Sequence, residues 1–278
     1  MADTTASRAL WRLTDQGPEP RPWPASARSL DDATRLLPPG FYTTFRTFDH
    51  KRRVLGLRQH LRRLYAPLSG PPPVSPAMLR SGLRRALAAF PEDEARVRLV
   101  MVPDDAVYAL LEPLPHWPPE IYSHGVATIV VPLERPRPWE KRTDFIRQRA
   151  QLIALMRARG AFEALMAPRG RIREGLTSNF FWIRDGILHT AKQFVLRGVT
   201  RQAVLQVARE MDIPRRYRAL PVEDIPSLDE AFLTSSSRGI VPIVRIDEHI
   251  VGSDRPGPLT RQLMDGYTRY VQTRAERI

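Results

Sequence analysis

Between Phe41 and Phe48 the chain alternates apolar and polar positions (FYTTFRTF), the period of two expected of a strand with one buried face. Asp49 to Lys51 turns the chain, and Arg53 to Leu57 brings it back. From Leu57 the period lengthens: Leu57, Leu61, Leu64 and Leu68 fall on one stripe, which predicts a helix from Leu57 to Leu68 with His60 and Arg63 beside the stripe. Pro71 to Pro73 breaks the pattern, Pro76 to Phe90 reads as a second helix, and Arg96 to Val102 with Ala106 to Leu111 reads as a hairpin about Asp104-Asp105. These elements predict an α+β unit of about one hundred residues. Pro113 to His124 then holds four prolines and no periodicity, the mark of a connection. We expect a small N-terminal domain over 1–112, a loop over 113–125 and a larger domain over 126–278.

In the second part, Val126 to Leu133 reads as a buried strand. Thr143 to Arg159 reads as an amphipathic helix through Phe145, Ile146, Leu152, Ile153 and Met156, and Phe162 to Ala167 as another strand. Asn179 to Ile183 alternates, Asp185-Gly186 suits a type I′ turn, and Ile187 to Thr190 pairs back. Gly198-Val199-Thr200 opens the helix TRQAVLQVAREM, where Gly allows close backbone approach and the first N–H groups face outward, a ready anion site. Glu230 to Thr234, the polar turn Ser235 to Gly239, a hairpin from Val241 to Val251 about Asp247-Glu248 and a helix from Leu259 to Ala275 complete the chain. Many short strands with interspersed helices predict a closed or half-closed α+β barrel. The first forty residues, with several prolines between Pro18 and Pro24, are expected to form a partly irregular arm.

Composition removes several classes. With no cysteine, disulfides, thiolate nucleophiles and thiolate metal ligands are excluded, and a reducing cytoplasm is the default. The six histidines (50, 60, 116, 124, 189 and 249) form no close ligand pair, so no metal site is expected. No apolar run is long enough to span a bilayer. The net charge of +13 would suit nucleic acid, but the basic residues are spread over most predicted helices without an RNA-binding motif or an aromatic-interleaved basic ribbon. Lysine occurs only at 51, 141 and 192, so the excess is arginine and reads as a solvated surface rather than a nucleic-acid footprint.

The stretch Glu174 to Arg201 carries the strongest signal. An acid is followed five residues later by Asn179, then by Phe180-Phe181, a short hairpin ending in Thr190, and Gly198-Val199-Thr200-Arg201. This order resembles the signature of the class IV aminotransferases, the fold type IV enzymes that use pyridoxal 5′-phosphate. The resemblance implies an α+β fold of two domains, a small sandwich-like N-terminal one and a larger pseudo-barrel.

It also implies roles. Lys141, between a buried strand and a helix start, matches the lysine that holds the cofactor covalently and shuttles a proton; Glu174 matches the acid at the pyridine nitrogen. The phosphate would be held by backbone N–H groups of Val199 and Thr200, the Thr200 hydroxyl, Ser235 or Ser236, and Arg63 of His60-Leu61-Arg62-Arg63. Leu196 resembles the apolar residue packed against the ring. Tyr42, Arg46, Arg96, Arg98 and Arg238 are candidates to bind a substrate carboxylate, since a guanidinium can grip one in two places. The family acts on an amino acid and a 2-oxo acid and is homodimeric. Subfamily markers do not settle the substrate: Ile146 stands where branched-chain enzymes usually carry Tyr, Pro103-Asp104-Asp105 replaces the Arg and His loop of D-amino-acid enzymes, and Asp144 replaces the Asn of aminodeoxychorismate lyases. We expect a transaminase leaning to branched or hydrophobic L-amino acids, with the lyase, the D-amino-acid enzyme and a non-catalytic basic binding module as alternatives.

Overall fold

The computed structural model describes residues 7–103 and 105–278. Residues 1–6 of the predicted arm, and Asp104 at the predicted hairpin turn, lie outside the described residues. The chain forms two compact units, one from Met1–Pro115, Glu140–Arg147 and Arg274–Ile278, the other from His116–Trp139 and Gln148–Thr273. A division of the sequence at its proline-rich stretch misses the two returns to the first unit, because long-range backbone pairing holds them. The Tyr42 N–H donates to the Lys141 carbonyl at 2.8 Å and the Thr143 N–H to the Gly40 carbonyl at 3.0 Å.

The first unit contains β1 (Ala9–Thr14), β2 (Gly17–Arg21), α1 (Leu30–Arg35), β3 (Phe41–Arg46), β4 (Arg53–Leu55), α2 (Leu57–Tyr65), α3 (Pro76–Ala89), β5 (Ala95–Val102) and β6 (Ala106–Pro113). Five strands form an antiparallel sheet in the order β2-β1-β6-β5-β3. The period of two divides its residues between two cores. Phe45, Val97, Leu99 and Met101 pack with the leucines of α2 and α3 on one face. Tyr42, Val100 and Leu110 meet Leu30 and Ala33 of α1 on the other.

From residue 7 onward the arm contains β1, β2 and α1, more regular structure than the partly irregular arm expected. Pro18 and Pro20 lie in β2 at the sheet edge, the position where a missing N–H is tolerated. Ser29 caps α1, its hydroxyl accepting from the Asp32 N–H at 3.2 Å.

The second unit begins with α4 (Glu120–Ser123) and β7 (Val126–Val131). After the return to the first unit, α5 (Asp144–Gln148) and α6 (Ala150–Ala158) stand where one helix from Thr143 to Arg159 was expected. The break falls at Arg149, a buried arginine that donates to the Leu176 carbonyl at 3.5 Å. Phe145 and Ile146 are buried in α5, whereas α6 buries no residue fully.

Next come β8 (Glu163–Met166), β9 (Arg171–Ile172), β10 (Glu174–Gly175), β11 (Asn179–Arg184), β12 (Ile187–Thr190), α7 (Val199–Glu210), β13 (Arg215–Tyr217), β14 (Leu220–Pro221), β15 (Glu230–Ser235), β16 (Gly239–Ile246), β17 (His249–Ile250) and α8 (Pro258–Arg274). The terminal strand, β18 (Ala275–Arg277), pairs with β4 of the first unit. The predicted turn at Asp185-Gly186 has φ of 53° and 70°, the two positive values that a type I′ turn requires. Strands run β10-β8-β7-β16-β15-β11, and β10 pairs again with β11, which closes a six-stranded barrel; β12 and β13 extend beyond β11. The closing pair is Glu174 opposite Asn179. Glu230, buried, accepts from the N–H groups of Leu259 at 3.0 Å and Thr260 at 2.6 Å and so fixes the start of α8.

Candidate active site

The barrel seam gathers most of the signature. Glu174 is only 2% exposed, and both its oxygens are occupied. Oε1 accepts from Arg135 Nε at 2.8 Å, while Oε2 accepts from the Leu196 N–H at 3.0 Å and from Asn179 Nδ2 at 3.3 Å. Asn179 Nδ2 also donates to the Leu196 carbonyl at 2.8 Å, so the seam pair fixes the loop that carries Leu196. A Cβ on Gly198 would collide with Asn179 Oδ1, which ties the glycine to this packing.

That loop delivers the N-terminus of α7. Gly198 is its N-cap, no side chain caps it, and no acid lies in its first turn. Such a helix start leaves N–H groups and a partial positive charge for an anion. Thr200 Oγ1 beside it is buried without a hydrogen-bond partner, and so is Thr234 Oγ1, on the residue opposite Asn179 in the sheet. Buried hydroxyls without partners are costly unless a ligand satisfies them. The donor set fits a phosphate. Arg201 of the same signature is buried and donates to the Ala191 carbonyl at 2.8 Å, which makes it a brace for the preceding loop.

Ser235 ends β15 and Ser236 opens the turn to β16, both following Thr234. Arg238 of the same turn is directed inward: its Nε donates to Ser235 Oγ at 3.0 Å, and its Nη2 donates to Thr177 Oγ1 at 2.7 Å and pairs with Glu163 Oε2 at 3.2 Å.

In the first unit, Lys141 sits beside β3 through the backbone bond to Tyr42, and its Nζ lies 4.8 Å from the Tyr42 ring centre. Arg98 stands 4.8 Å from the same ring. Tyr42 is buried, and its hydroxyl has no partner. The other lysines are engaged elsewhere: Lys51 Nζ donates to the Phe90 carbonyl at 2.6 Å, and Lys192 is exposed beside the Tyr217 ring. Arg98 pairs with Asp31 at 2.7 Å and donates to Thr34 and Thr44, Arg96 pairs with Glu112, and Arg46 lies over Phe48. Arg96 and Arg98 thus have their charge balanced by a carboxylate of the same unit. Arg63 Nη2 donates to Thr43 Oγ1 at 2.8 Å, and that hydroxyl lies 2.6 Å from His60 Nδ1.

His60 is fully buried, and burial first, then Arg63 and Lys141, hold its pKa well below the ordinary 6.5. The folded protein keeps this ring neutral, while the unfolded chain takes up a proton as pH falls through about 6.5. The unfolded form then binds more protons, so stability is complete above that pH and is lost as pH falls toward the depressed folded value, by at most about 1.4 kcal/mol per pH unit for this ring. Urea unfolding between pH 8 and 5 should show a shallower pH dependence in His60→Gln than in the parent protein. Equal slopes would remove His60 as the cause.

Sequence reasoning did not find Arg135, Thr43, Glu163, Thr234 or Asp31. Arg135 and Glu163 act on residues 39 and 75 positions away, and no local pattern signals such a pair. Asp31 had a signal: Ser29 three residues before Asp32 is a helix-start pattern, which would have placed α1 in the arm.

Among the described residues, no group of three His, Cys, Asp or Glu could hold a metal ion, and no helix is long and apolar enough to cross a membrane. Residues 40–246 match the family described as amino-transferase class IV, and the chain belongs to that family. It is similar to the D-alanine aminotransferase of Staphylococcus haemolyticus, 33% identical over 117 residues, a stretch that covers 41% of this chain and 42% of that enzyme. The chain therefore aligns with less than half the length of that relative. Its fold matches the branched-chain aminotransferase of Thermoproteus uzoniensis solved with norvaline, at a TM-score of 0.77 and 22% identity, covering 97% of this chain and 98% of that one. It also matches a hypothetical aminotransferase from Mycobacterium tuberculosis in a PLP-bound form, at a TM-score of 0.74 and 22% identity, covering 95% and 99%.

Proposed function

We propose that the protein is a pyridoxal-phosphate aminotransferase that moves an amino group between an amino acid and a 2-oxo acid. The observation that carries this reading is the barrel seam: a buried acid, a helix start without a side-chain cap and two buried hydroxyls without partners, brought together by the pair Glu174 and Asn179. The cofactor, when bound, supplies a reactive carbonyl and a ring that accepts electrons. In this reading the Lys141 amine holds the cofactor and moves a proton at the substrate α-carbon. The Glu174 carboxylate holds a proton at the ring nitrogen, and Leu196 supports the ring. The N–H groups of Val199 and Thr200, the hydroxyls of Thr200, Ser235 and Ser236, and the Arg63 guanidinium hold the phosphate. Arg135 donates to Glu174 Oε1 and so fixes the orientation of its carboxylate.

For the substrate we propose a hydrophobic L-amino acid. With Arg96 and Arg98 paired to carboxylates, few charges remain for an acidic side chain, and Tyr42 adds a ring to the same sheet face. The kinship with a D-alanine aminotransferase supports a second reading, a D-amino-acid transaminase. We also propose a cytoplasmic homodimer. Trp139, Phe194 and Tyr217 of the second unit are each more than half exposed, large apolar side chains that a second copy can cover.

Titration with the cofactor followed by single L- and D-amino acids tests these readings. The aminotransferase reading expects a near-visible absorption band that borohydride bleaches and that L-Leu, L-Ile or L-Val discharges. Discharge by D-amino acids alone selects the second reading, and a protein that takes up no cofactor overturns both.

A further inference from the structure

Arg238 and Glu163 form a buried ionic clasp beside the seam. The Arg238 side chain is 10% exposed and that of Glu163 is 2%. Glu163, the first residue of β8, accepts at Oε2 from Arg238 at 3.2 Å, from Ser178 Oγ at 3.2 Å and from Thr177 Oγ1, and at Oε1 from the Ala164 N–H at 3.2 Å. Thr177 in turn accepts from Arg238 at 2.7 Å. The guanidinium lies 5.1 Å from the Phe162 ring centre and 5.7 Å from that of Trp117, and Tyr122 donates to the Arg238 carbonyl at 3.1 Å. A Cβ on Gly175 would strike Ser178 Oγ and crowd Glu163, so the turn from Gly175 to Ser178 closes against this carboxylate only because position 175 has no side chain.

The clasp joins two turns that flank the seam from opposite sides in sequence. One, Leu176 to Ser178, separates Glu174 from Asn179; the other carries Ser235 and Ser236 after Thr234, the sheet partner of Asn179. Ser235 Oγ accepts from Arg238 Nε at 3.0 Å. A hydroxyl whose lone pair faces a guanidinium must direct its own proton elsewhere, and it becomes a stronger donor to an anion through hydrogen-bond polarisation. The charge of Arg238 is balanced by Glu163, which makes it a poor clamp for a substrate carboxylate and a good lever on the serine turn.

We propose that Arg238, anchored by Glu163, is a positioning residue for the cofactor phosphate: it orients the Ser235 hydroxyl as a donor and locks the serine turn to the turn that carries Thr177 and Ser178. This rests on the reading of the seam as a pyridoxal-phosphate site and goes beyond it in giving the substrate-binding candidate Arg238 a different task.

The test compares the dissociation constants of pyridoxal 5′-phosphate and of pyridoxal, which lacks the phosphate, on cofactor-free protein by absorbance and by thermal shift. Arg238→Met should weaken pyridoxal 5′-phosphate by about 10- to 100-fold, the loss expected for a charge-assisted bond, and pyridoxal by less than about three-fold. Ser235→Ala should reproduce part of that loss, and adding it to Arg238→Met should weaken binding little further, because both act through one hydroxyl. Arg238→Lys, with one donor centre in place of a fork, should recover only part of the affinity. A substrate KM raised tenfold with cofactor affinity unchanged would make Arg238 a substrate residue and overturn the proposal. Equal losses for both cofactor forms would overturn it in favour of a purely structural role, and unchanged affinities would leave it without effect and refute it. Failure of the parent protein to bind either form would instead defeat the seam reading itself.

Discussion

Lys141→Ala should yield a folded protein whose amino-group transfer is lower by at least about 10²- to 10⁴-fold, the range that a positioned proton-transfer group contributes, before the loss of covalent attachment is added. The chain offers three amines and the structure separates them: Lys51 is engaged by the Phe90 and Glu92 carbonyls, and Lys192 is exposed on a loop of the other unit. Lys141 is fixed by its backbone to β3 and lies against the Tyr42 ring beside Arg98, so a single neighbourhood sets its orientation and its electrostatics. Arg98 beside that ring is itself paired with Asp31. Borohydride treatment of the loaded parent protein should place the label on the peptide that contains Lys141, and Lys141→Ala should take up none there. A dead Lys192→Ala beside an active Lys141→Ala would overturn the role of Lys141 and give it to Lys192.

Glu174→Gln should lose both turnover and stability, and the two losses have separate causes. The neutral amide cannot hold a proton on a ring nitrogen by charge, and removal of a pre-organised charge at a reacting centre lowers turnover by about 10²- to 10³-fold. The stability loss belongs to the cofactor-free protein. Glu174 faces three donors, Arg135 Nε, the Leu196 N–H and Asn179 Nδ2, and an amide must turn its own NH₂ toward at least one of them. Arg135, with a side chain 4% exposed, would then lose the carboxylate charge it donates to, and breaking a buried pair costs about 3–5 kcal/mol where the whole partner is removed. Urea unfolding of the cofactor-free variant and turnover of the loaded one should both fall, and Arg135→Met combined with Glu174→Gln should be more stable than Glu174→Gln alone. A variant with parental stability and turnover would take Glu174 out of both roles.

The parts legible in sequence are those whose cause is local. The alternation of Phe41 to Phe48 produced β3, the leucine stripe produced α2, and Asp185-Gly186 made its I′ turn because only such residues hold two positive φ values cheaply. The acid and the Asn five positions later were visible as a spacing, and the structure supplies its reason: they face each other in the single pair that closes the barrel. Prolines misled the reading of the arm, since at a sheet edge they accompany a strand. Charge misled the reading of the arginines, because Arg98 and Arg238 meet Asp31 and Glu163, neighbours 67 and 75 positions away that no window contains. The helix expected from Thr143 to Arg159 had the right period, yet its two halves serve different units, and a buried Arg149 falls between them. Strands of two or three residues, such as β9, β13 and β14, are too short for any period to show.

The residues of the first unit lie at both ends of the chain and in an eight-residue excursion in between. The polypeptide therefore crosses from one unit to the other four times, at 115/116, 139/140, 147/148 and 273/274, and no single cut releases either unit whole. A protease that nicks the proline-rich connection leaves Lys141 and β18 on the fragment that has lost β3 and β4, their hydrogen-bonding neighbours. For anyone dividing the gene, the natural parcel is the chain from β1 to β18: half of it carries the acid without the amine's supporting strand, and the other half carries that strand without the amine.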